Sequence, residues 1–307
     1  MNPHVLRIAG ASYSGSTAFG HFLNTAPGFM FGSELYRLLP VFMRSSDPPR
    51  ITPCDHCGAD CSVWTNDLRA ALQQRPDSGL ADVYDAFFAS VDTARVLVDG
   101  SKLKRWYAYG PEPQQACSYV VTVKHPMRLL ASFVYNDTNL IPHASRSSLE
   151  SAAGFLDEHL DQAVAFAQAQ LVRAHAQYAE LLEFVSGDEM QLCRTDERAS
   201  VLAVLQALSA RHDAVFDLQE LSRIPCHSLG GNRSIRWQVG GYAAGPGRPA
   251  QDRARFDYYK SQTQDFFVQD NKFARLFSPV LRERIASLPP YRPLGRLLGY
   301  DDAPDLR

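Results

Sequence analysis

The stretch from Leu6 to Leu23 constrains this chain more than any other. It reads Leu-Arg-Ile-Ala-Gly-Ala-Ser-Tyr-Ser-Gly-Ser-Thr-Ala-Phe-Gly-His-Phe-Leu. The apolar run Val5, Leu6, Ile8 and Ala9 stops at Gly10, passes through small hydroxyl residues to Gly15, and resumes with Phe19, Phe22 and Leu23 at helical spacing. That order predicts a strand, a tight turn and a helix start. Small residues in the turn let the backbone N–H groups of Ser14, Gly15, Ser16, Thr17 and Ala18 converge, and the positive end of the helix dipole makes that point a site for a phosphate-like anion.

Gly10 and Gly15 have the spacing of a Walker A loop, but Ser16 stands where that loop carries its Lys. The turn can cradle an anion, yet it lacks the charge that an ATPase uses. A Ser/Gly turn that binds nothing is the competing reading, and the residues further along the chain separate the two.

Beyond the turn, strand-like and helix-like runs alternate. Phe29, Met30 and Phe31 form a short apolar strand closed by Gly32, after which Ser33 can cap a helix beginning at Glu34. Residues 44–62 are a long connection, and 66–91 reads as mostly helical with a break at Pro76 to Gly79. Arg95 to Gly100 and Tyr119 to Val123 are further strands, the second followed by Lys124, His125 and a Pro126 placed to open a helix. Apolar residues recur at helical spacing from Phe155 to Val185 with no Gly or Pro, which predicts one long amphipathic helix. A short strand at Met190 to Cys193 and a helix from Glu197 to about Ala210 complete the pattern.

Strands this far apart cannot be joined by hairpins, so the expected fold is α/β, a parallel sheet flanked by helices with a helical C-terminal portion. It reads as a single domain over residues 1–307, with 44–92 and 239–307 as substrate-side insertions and a helical rim. Ligands of such sheets sit beyond the carboxyl ends of the strands, which would make Ser14 to Thr17, Glu34, Lys102 and Lys124 neighbours around one crevice. Glu34 alone also reads as a mere complement to a helix dipole. The loop Val239 to Pro249 is either inert surface or a lid.

Composition narrows the function classes. A chain of 307 residues, 45% hydrophobic and 21% charged, has ample material for a core. The net charge of −2 and the lack of a dense basic cluster speak against nucleic acid as a partner. No basic leader precedes an apolar segment, and no apolar run approaches the roughly 18 residues of a spanning helix, so a cytoplasmic chain without a transmembrane segment is expected. Oligomeric state is not legible. Six cysteines in this length do not make a disulfide framework. Cys54, Cys57 and Cys61 are clustered, but His56 is wedged awkwardly between two of them for a fourth zinc ligand, so the expectation is no metal and packed thiols or one disulfide.

Together these residues resemble the sulfotransferases that use 3′-phosphoadenosine 5′-phosphosulfate (PAPS). Tyr13 to Thr17 is similar to their 5′-phosphosulfate loop. The run Val121 to Ser132 resembles their 3′-phosphate motif, with Lys124 and Ser132 eight residues apart. Val98-Asp-Gly-Ser-Lys102 resembles the strand-end Lys of bacterial members, Cys57-Gly-x2-Cys61-x2-Trp64 their Cys-Gly to Cys-x-x-Trp segment, and His227 to Arg233 their His-x3-Gly-Asn loop. The matches run in the family's order from about residue 5 to 236.

The resemblance implies a P-loop NTPase-like sulfotransferase fold. The implied reaction moves a sulfuryl group from PAPS to a hydroxyl or amine of a small-molecule, lipid or carbohydrate acceptor. It leaves 3′,5′-phosphoadenosine phosphate and requires no metal. Tyr13, Ser14, Gly15, Ser16, Thr17, Ala18, Lys124, Ser132, Asn232 and Arg233 would hold the nucleotide, Lys102 would neutralise the leaving phosphate, and Glu34 would be the general base. Another branch of the family takes a His as base two residues after the strand-end Lys, where this chain has Lys104.

Two departures stand out. Tyr13 replaces the usual Lys or Arg, which shifts charge onto Lys102, or onto Arg105 or Arg236, and Lys124-His125-Pro126-Met127 replaces Arg-Asp-Pro-Arg. Two alternatives stand beside this reading: a divergent P-loop kinase, from the spacing of Gly10, Gly15 and Thr17, and a non-catalytic nucleotide-binding protein on the same fold, from Tyr13, Lys124 and His125. Some residues keep plainer readings: Arg128 as a solvated side chain, His227 as a turn cap or buried imidazole, and Trp106, Tyr107 and Tyr109 as core or acceptor pocket.

Overall fold

β1 (His4–Gly10) runs through the middle of the molecule with its apolar residues buried on both faces, the signature of a parallel strand covered by helices on each side. The structure is a computed structural model that describes residues 3–43, 54, 57, 60–186, 189–217, 227–229 and 272–300. β1 is joined by β2 (Phe29–Ser33), β3 (Val96–Lys102), β4 (Ala116–Val123) and β5 (Met190–Arg194) in a five-stranded sheet of order β2-β3-β1-β4-β5. Every pairing is parallel. The chain leaves β1 towards β2 and leaves β4 towards β5, so its direction along the sheet reverses between β1 and β4. A ligand crevice opens at such a reversal, beyond the carboxyl ends of the strands.

Leu6 and Ile8 of β1, with Val96, Val98, Val120 and Cys193, face α1 (Ser16–Leu23) and α9 (Arg198–His212). Val5, Ala9, Leu97, Tyr119, Val121 and Val123 face the opposite layer. That layer contains α3 (Asn66–Gln73), α4 (Leu80–Ser90), α6 (Pro126–Asn136), α7 (Leu149–Glu158) and α8 (Leu160–Phe184). α2 (Pro40–Met43) and α5 (Lys104–Tyr107) are single turns. At the C-terminal end, α10 (Lys272–Leu276), α11 (Pro279–Ala286) and α12 (Tyr291–Leu297) add to the same core through Phe273, Leu281, Ile285 and Leu294.

Three local expectations change. The long helix begins at Leu149 and is broken at His159, whose ring stacks on Phe155 and bonds its carbonyl at 2.9 Å, so α7 and α8 are separate. The apolar period continues across the break and hides it. Ser33 is the last residue of β2, with φ 61°, and Glu34, not Ser33, holds the N-cap position of a 3-10 turn, Leu35–Leu38. α4 is part of the sheet-covering layer, because Tyr84 and Phe87 are fully buried against the same core as Val5 and Leu97.

Within that core, Arg7 lies under the rings of Tyr84, Tyr107 and Tyr119 and donates to the Tyr84 and Tyr119 hydroxyls at 3.2 and 2.5 Å. Tyr84 donates to Asp99 at 2.7 Å, and the other Asp99 oxygen takes both the Ser101 N–H and its hydroxyl. A buried charge is tolerable only when its hydrogen bonds are met, and this network meets them while anchoring the carboxyl end of β3.

Candidate functional site

The turn after β1 is clamped from beneath. Gly10 pairs with Thr122 of β4, and a Cβ on Gly10 would fall 2.5 Å from the Thr122 carbonyl oxygen, so the two backbones approach as only glycine allows. The Ser14 and Thr122 hydroxyls are 2.8 Å apart, the Thr122 hydroxyl donates to Ala9 O, and the buried Tyr178 of α8 donates to Thr122 O at 3.0 Å. From the end of β5, the Thr195 hydroxyl donates to Ser14 O.

Several turn residues differ from expectation in what they offer. The Ser14 N–H donates to Ala11 O at 3.3 Å, closing the turn on itself, so Ser14 contributes support and no donor. Tyr13 has φ 66° and packs its ring edge-on to Phe133 of α6, 5.3 Å away. Gly15, at φ 90°, is the N-cap of α1: its carbonyl accepts from the Phe19 N–H at 3.0 Å, it has no side chain to cap the first N–H groups, and no acidic residue occupies the first helical turn. Ser16, Thr17 and Ala18 begin α1, where helix geometry leaves the first N–H groups without intrahelical acceptors and the dipole positive.

Glu34 and Lys102 meet beside this turn. The Lys102 ammonium lies 3.0 Å from Glu34 Oε1, while Arg37 approaches Oε2 at 2.6 and 2.7 Å and the Tyr36 hydroxyl donates to Oε2 at 3.2 Å. Burial opposes the charge on Glu34, but Lys102 and Arg37 outweigh it and hold the carboxyl below its usual range. Lys102 itself has φ 71°, with its N–H donating to the Tyr107 hydroxyl at 3.0 Å. Ser33, Lys102 and Tyr13 are three of the four non-glycine residues at positive φ among the described residues. Each sits at or just past the carboxyl end of a strand, where such strain gathers at working sites.

A cleft of about 140 Å³ continues from Gly10 and Lys102 towards α8, lined by Lys104, Arg105, Arg173, Gln177 and Glu180, with Glu180 paired to Lys104 at 3.4 Å. Arg173 and Gln177 escape sequence reasoning because they occupy polar positions of a long amphipathic helix, where a solvated face has the same pattern. On the other side of Glu34, Tyr36 stacks on Trp106 at 4.6 Å, and Phe42 stands edge-on to Tyr36. Trp106 thus belongs to this wall, while Tyr107 is core.

The β4 side divides differently. Lys124 lies two residues past Thr122, the in-register partner of Gly10, which brings it beside the turn. Ser132 is buried on α6 with its hydroxyl donating to Arg128 O at 3.3 Å. Lys124 thus directly follows the carboxyl end of β4, while the Ser132 hydroxyl is turned back to its own helix. Arg128 is not solvated: it is buried and paired with Asp196 at 3.3 Å, because the segment after β5 carries that carboxylate across to α6. Asp196 also accepts from the His125 N–H at 3.0 Å and the Tyr300 hydroxyl at 2.6 Å, a hub with no local sequence signal. Asn232, Arg233, Arg236 and the loop from Val239 to Pro249 lie outside the described residues.

A scan against protein-family models and a search of the curated proteins both return no match for this chain. Among the described residues, no helix is long and apolar enough to cross a membrane. Chemically, the assembly offers the positive end of a helix, a cleft that carries charges of both signs, and an ionised carboxylate paired with Lys102 at the cleft wall.

Proposed function

We propose that the protein is a PAPS-dependent sulfotransferase acting on a hydroxyl or amine of a small-molecule, lipid or carbohydrate acceptor. The observation that carries this reading is the Glu34–Lys102 pair, 3.0 Å apart at the carboxyl edge of the sheet, with Lys102 in register with Ala9 just before the anion turn. Sulfuryl transfer asks for in-line placement and neutralisation of a leaving phosphate, with little covalent help from protein. The α1 N-terminus and Lys102 are suited to the phosphosulfate, and Arg105 and Arg173 add positive charge to the cleft, where Lys104 is balanced by Glu180 at 3.4 Å.

In the reaction the acceptor oxygen bonds to sulfur as the bond between sulfur and the 5′-phosphate oxygen breaks, and the acceptor proton passes to Glu34. Lys102 moves from Glu34 to the leaving phosphate. That exchange frees the carboxylate to act as base only once donor is bound, because a carboxylate held by two cations is a weak one. Lys124 would meet the 3′-phosphate, and the apolar surface of Tyr36, Phe42 and Trp106 would take the acceptor.

A second reading, a nucleotide-binding protein without turnover, draws on the neutralised state of Glu34 and the inward Ser132 hydroxyl. Titration calorimetry with 3′,5′-phosphoadenosine phosphate and with ADP tests the donor. Binding of the first at least tenfold tighter supports PAPS, and equal affinity overturns it. Sulfated product from PAPS and a panel of acceptors then separates transfer from binding alone.

A further inference from the structure

Three cysteines and a histidine converge where the segment around residue 227 meets the chain after β2. His227 Nδ1 lies 4.0 Å from Cys54 Sγ and 3.4 Å from the sulfurs of Cys57 and Cys61, and all four ligand atoms fall within 4.8 Å of one another. A tetrahedral zinc ion with bonds of about 2.3 Å to sulfur and about 2.0–2.1 Å to nitrogen sets S···N near 3.6 Å and S···S near 3.8 Å. The observed N···S distances of 3.4 to 4.0 Å bracket the first of these values, as ligands gathered around one ion would. His56, considered from sequence alone, lies outside the described residues, and the fourth ligand comes from 166 residues beyond Cys61.

Other features point the same way. Cys54, Cys57 and Cys61 are thiols in the structure and not a disulfide. The Cys57 N–H donates to Cys54 Sγ at 3.5 Å and the Trp64 N–H to Cys61 Sγ at 3.4 Å, contacts that stabilise and orient thiolate ligands. Buried Arg69 interacts electrostatically with both Cys61 and Cys54, and its charge would balance the net −1 of three thiolates with one divalent ion. Soft sulfur with one imidazole suits zinc, and four side chains leave no open position for catalysis.

We propose that Cys54, Cys57, Cys61 and His227 hold one structural Zn²⁺ that staples residues 227–229 to the edge of β2, next to Glu34. The thiol protons are released to solvent on binding. The segment is already docked: the Leu229 N–H donates to Gly32 O at 2.9 Å, the Glu34 N–H donates to Leu229 O at 3.2 Å, and the Trp64 indole donates to His227 O. A metal at its start would hold this added bridge and so position the base. The inference does not rest on the sulfotransferase reading, since metal content is measured without turnover.

The test uses the full chain, expressed with zinc and purified under reducing conditions without chelator. Elemental analysis should find one zinc per chain, and cobalt exchanged into the wild-type protein should give the intense visible bands and sulfur charge-transfer absorption of a tetrahedral thiolate site. His227→Ala should lower bound zinc more than about tenfold, while His227→Cys, which restores a fourth ligand, should keep it. Removing zinc from wild type should speed hydrogen exchange at the Leu229 and Glu34 amides. No zinc as purified and none after reconstitution, an octahedral cobalt spectrum, equal zinc in wild type and His227→Ala, or a native disulfide within the cluster would each overturn the site. Unchanged exchange at both amides would overturn the staple.

Discussion

The Glu34 carboxylate is held 3.0 Å from the Lys102 ammonium, although 68 residues separate them in the chain. β2 and β3 are parallel neighbours, so their carboxyl ends emerge side by side, and Glu34 comes just after one as Lys102 ends the other. Lys102 takes one carboxylate oxygen and Arg37 the other, so Glu34 is held by two cations at once.

Glu34→Gln should reduce sulfated product by roughly 10²–10⁴ and leave the affinity for 3′,5′-phosphoadenosine phosphate within about threefold, as Lys102 no longer has to leave a carboxylate. Product quantified by mass spectrometry and a calorimetric titration check the two halves. Turnover equal to wild type would remove Glu34 from the base role. The variant should also lose stability less steeply at low pH. Glu34 is lowered from its usual 4.5, so its contribution is present above that value and lost as pH falls through the lower folded value.

Gly15→Ala places a Cβ 2.5 Å from the Thr195 hydroxyl at a backbone φ of 90°. The left-handed conformation alone costs an L-residue about 1–2 kcal/mol, and Thr195 cannot retreat without releasing Ser14 O. Nucleotide affinity should fall by about tenfold or more while far-ultraviolet circular dichroism stays that of wild type. Undiminished binding would place the anion elsewhere.

Arg128→Ala removes the cation paired with the buried Asp196 carboxylate, which keeps only the His125 N–H and the Tyr300 hydroxyl as donors, and should destabilise the protein by about 3 kcal/mol. Chemical denaturation of Arg128→Ala, Asp196→Ala and the double variant measures the coupling. The double variant should lose clearly less than the sum of the singles. Strict additivity would mean that the pair contributes nothing jointly.

Burial keeps His125 neutral down to about 4, with Asp196 opposing and Arg128 reinforcing that shift. An unfolded histidine takes up its proton near 6.5, so between 6.5 and 4 the unfolded chain holds more protons and stability falls as pH falls, by about 1.4 kcal/mol per pH unit from this residue. His125→Asn retains a side-chain acceptor for the Met127 N–H and should flatten the slope by that amount, read from urea unfolding at three pH values. Parallel slopes for variant and wild type would refute it.

Much of the fold was legible in the order of residues. The strand, turn and helix at the start were read from an apolar run, two glycines and helical spacing, all of them local. Lys102 and Lys124 were read as strand-end cations because a parallel sheet presents its carboxyl ends together. Ser132 had the right spacing from Lys124, but spacing along a helix does not say whether a hydroxyl looks outward or back to the carbonyl four residues before it. The Arg7, Tyr84 and Asp99 network, the Asp196 hub and the lining from Arg173 left no periodic trace.

Backbone hydrogen bonding and side-chain period are short-range, so the composition of each segment was enough to specify strand, turn or helix and to imply a wound parallel sheet. The partners of a charge or a thiolate are chosen by how distant segments cross. Cys61 met His227 and Lys102 met Glu34 only because β2 lies at one edge of the sheet with β3 beside it, an order set by packing both faces at once.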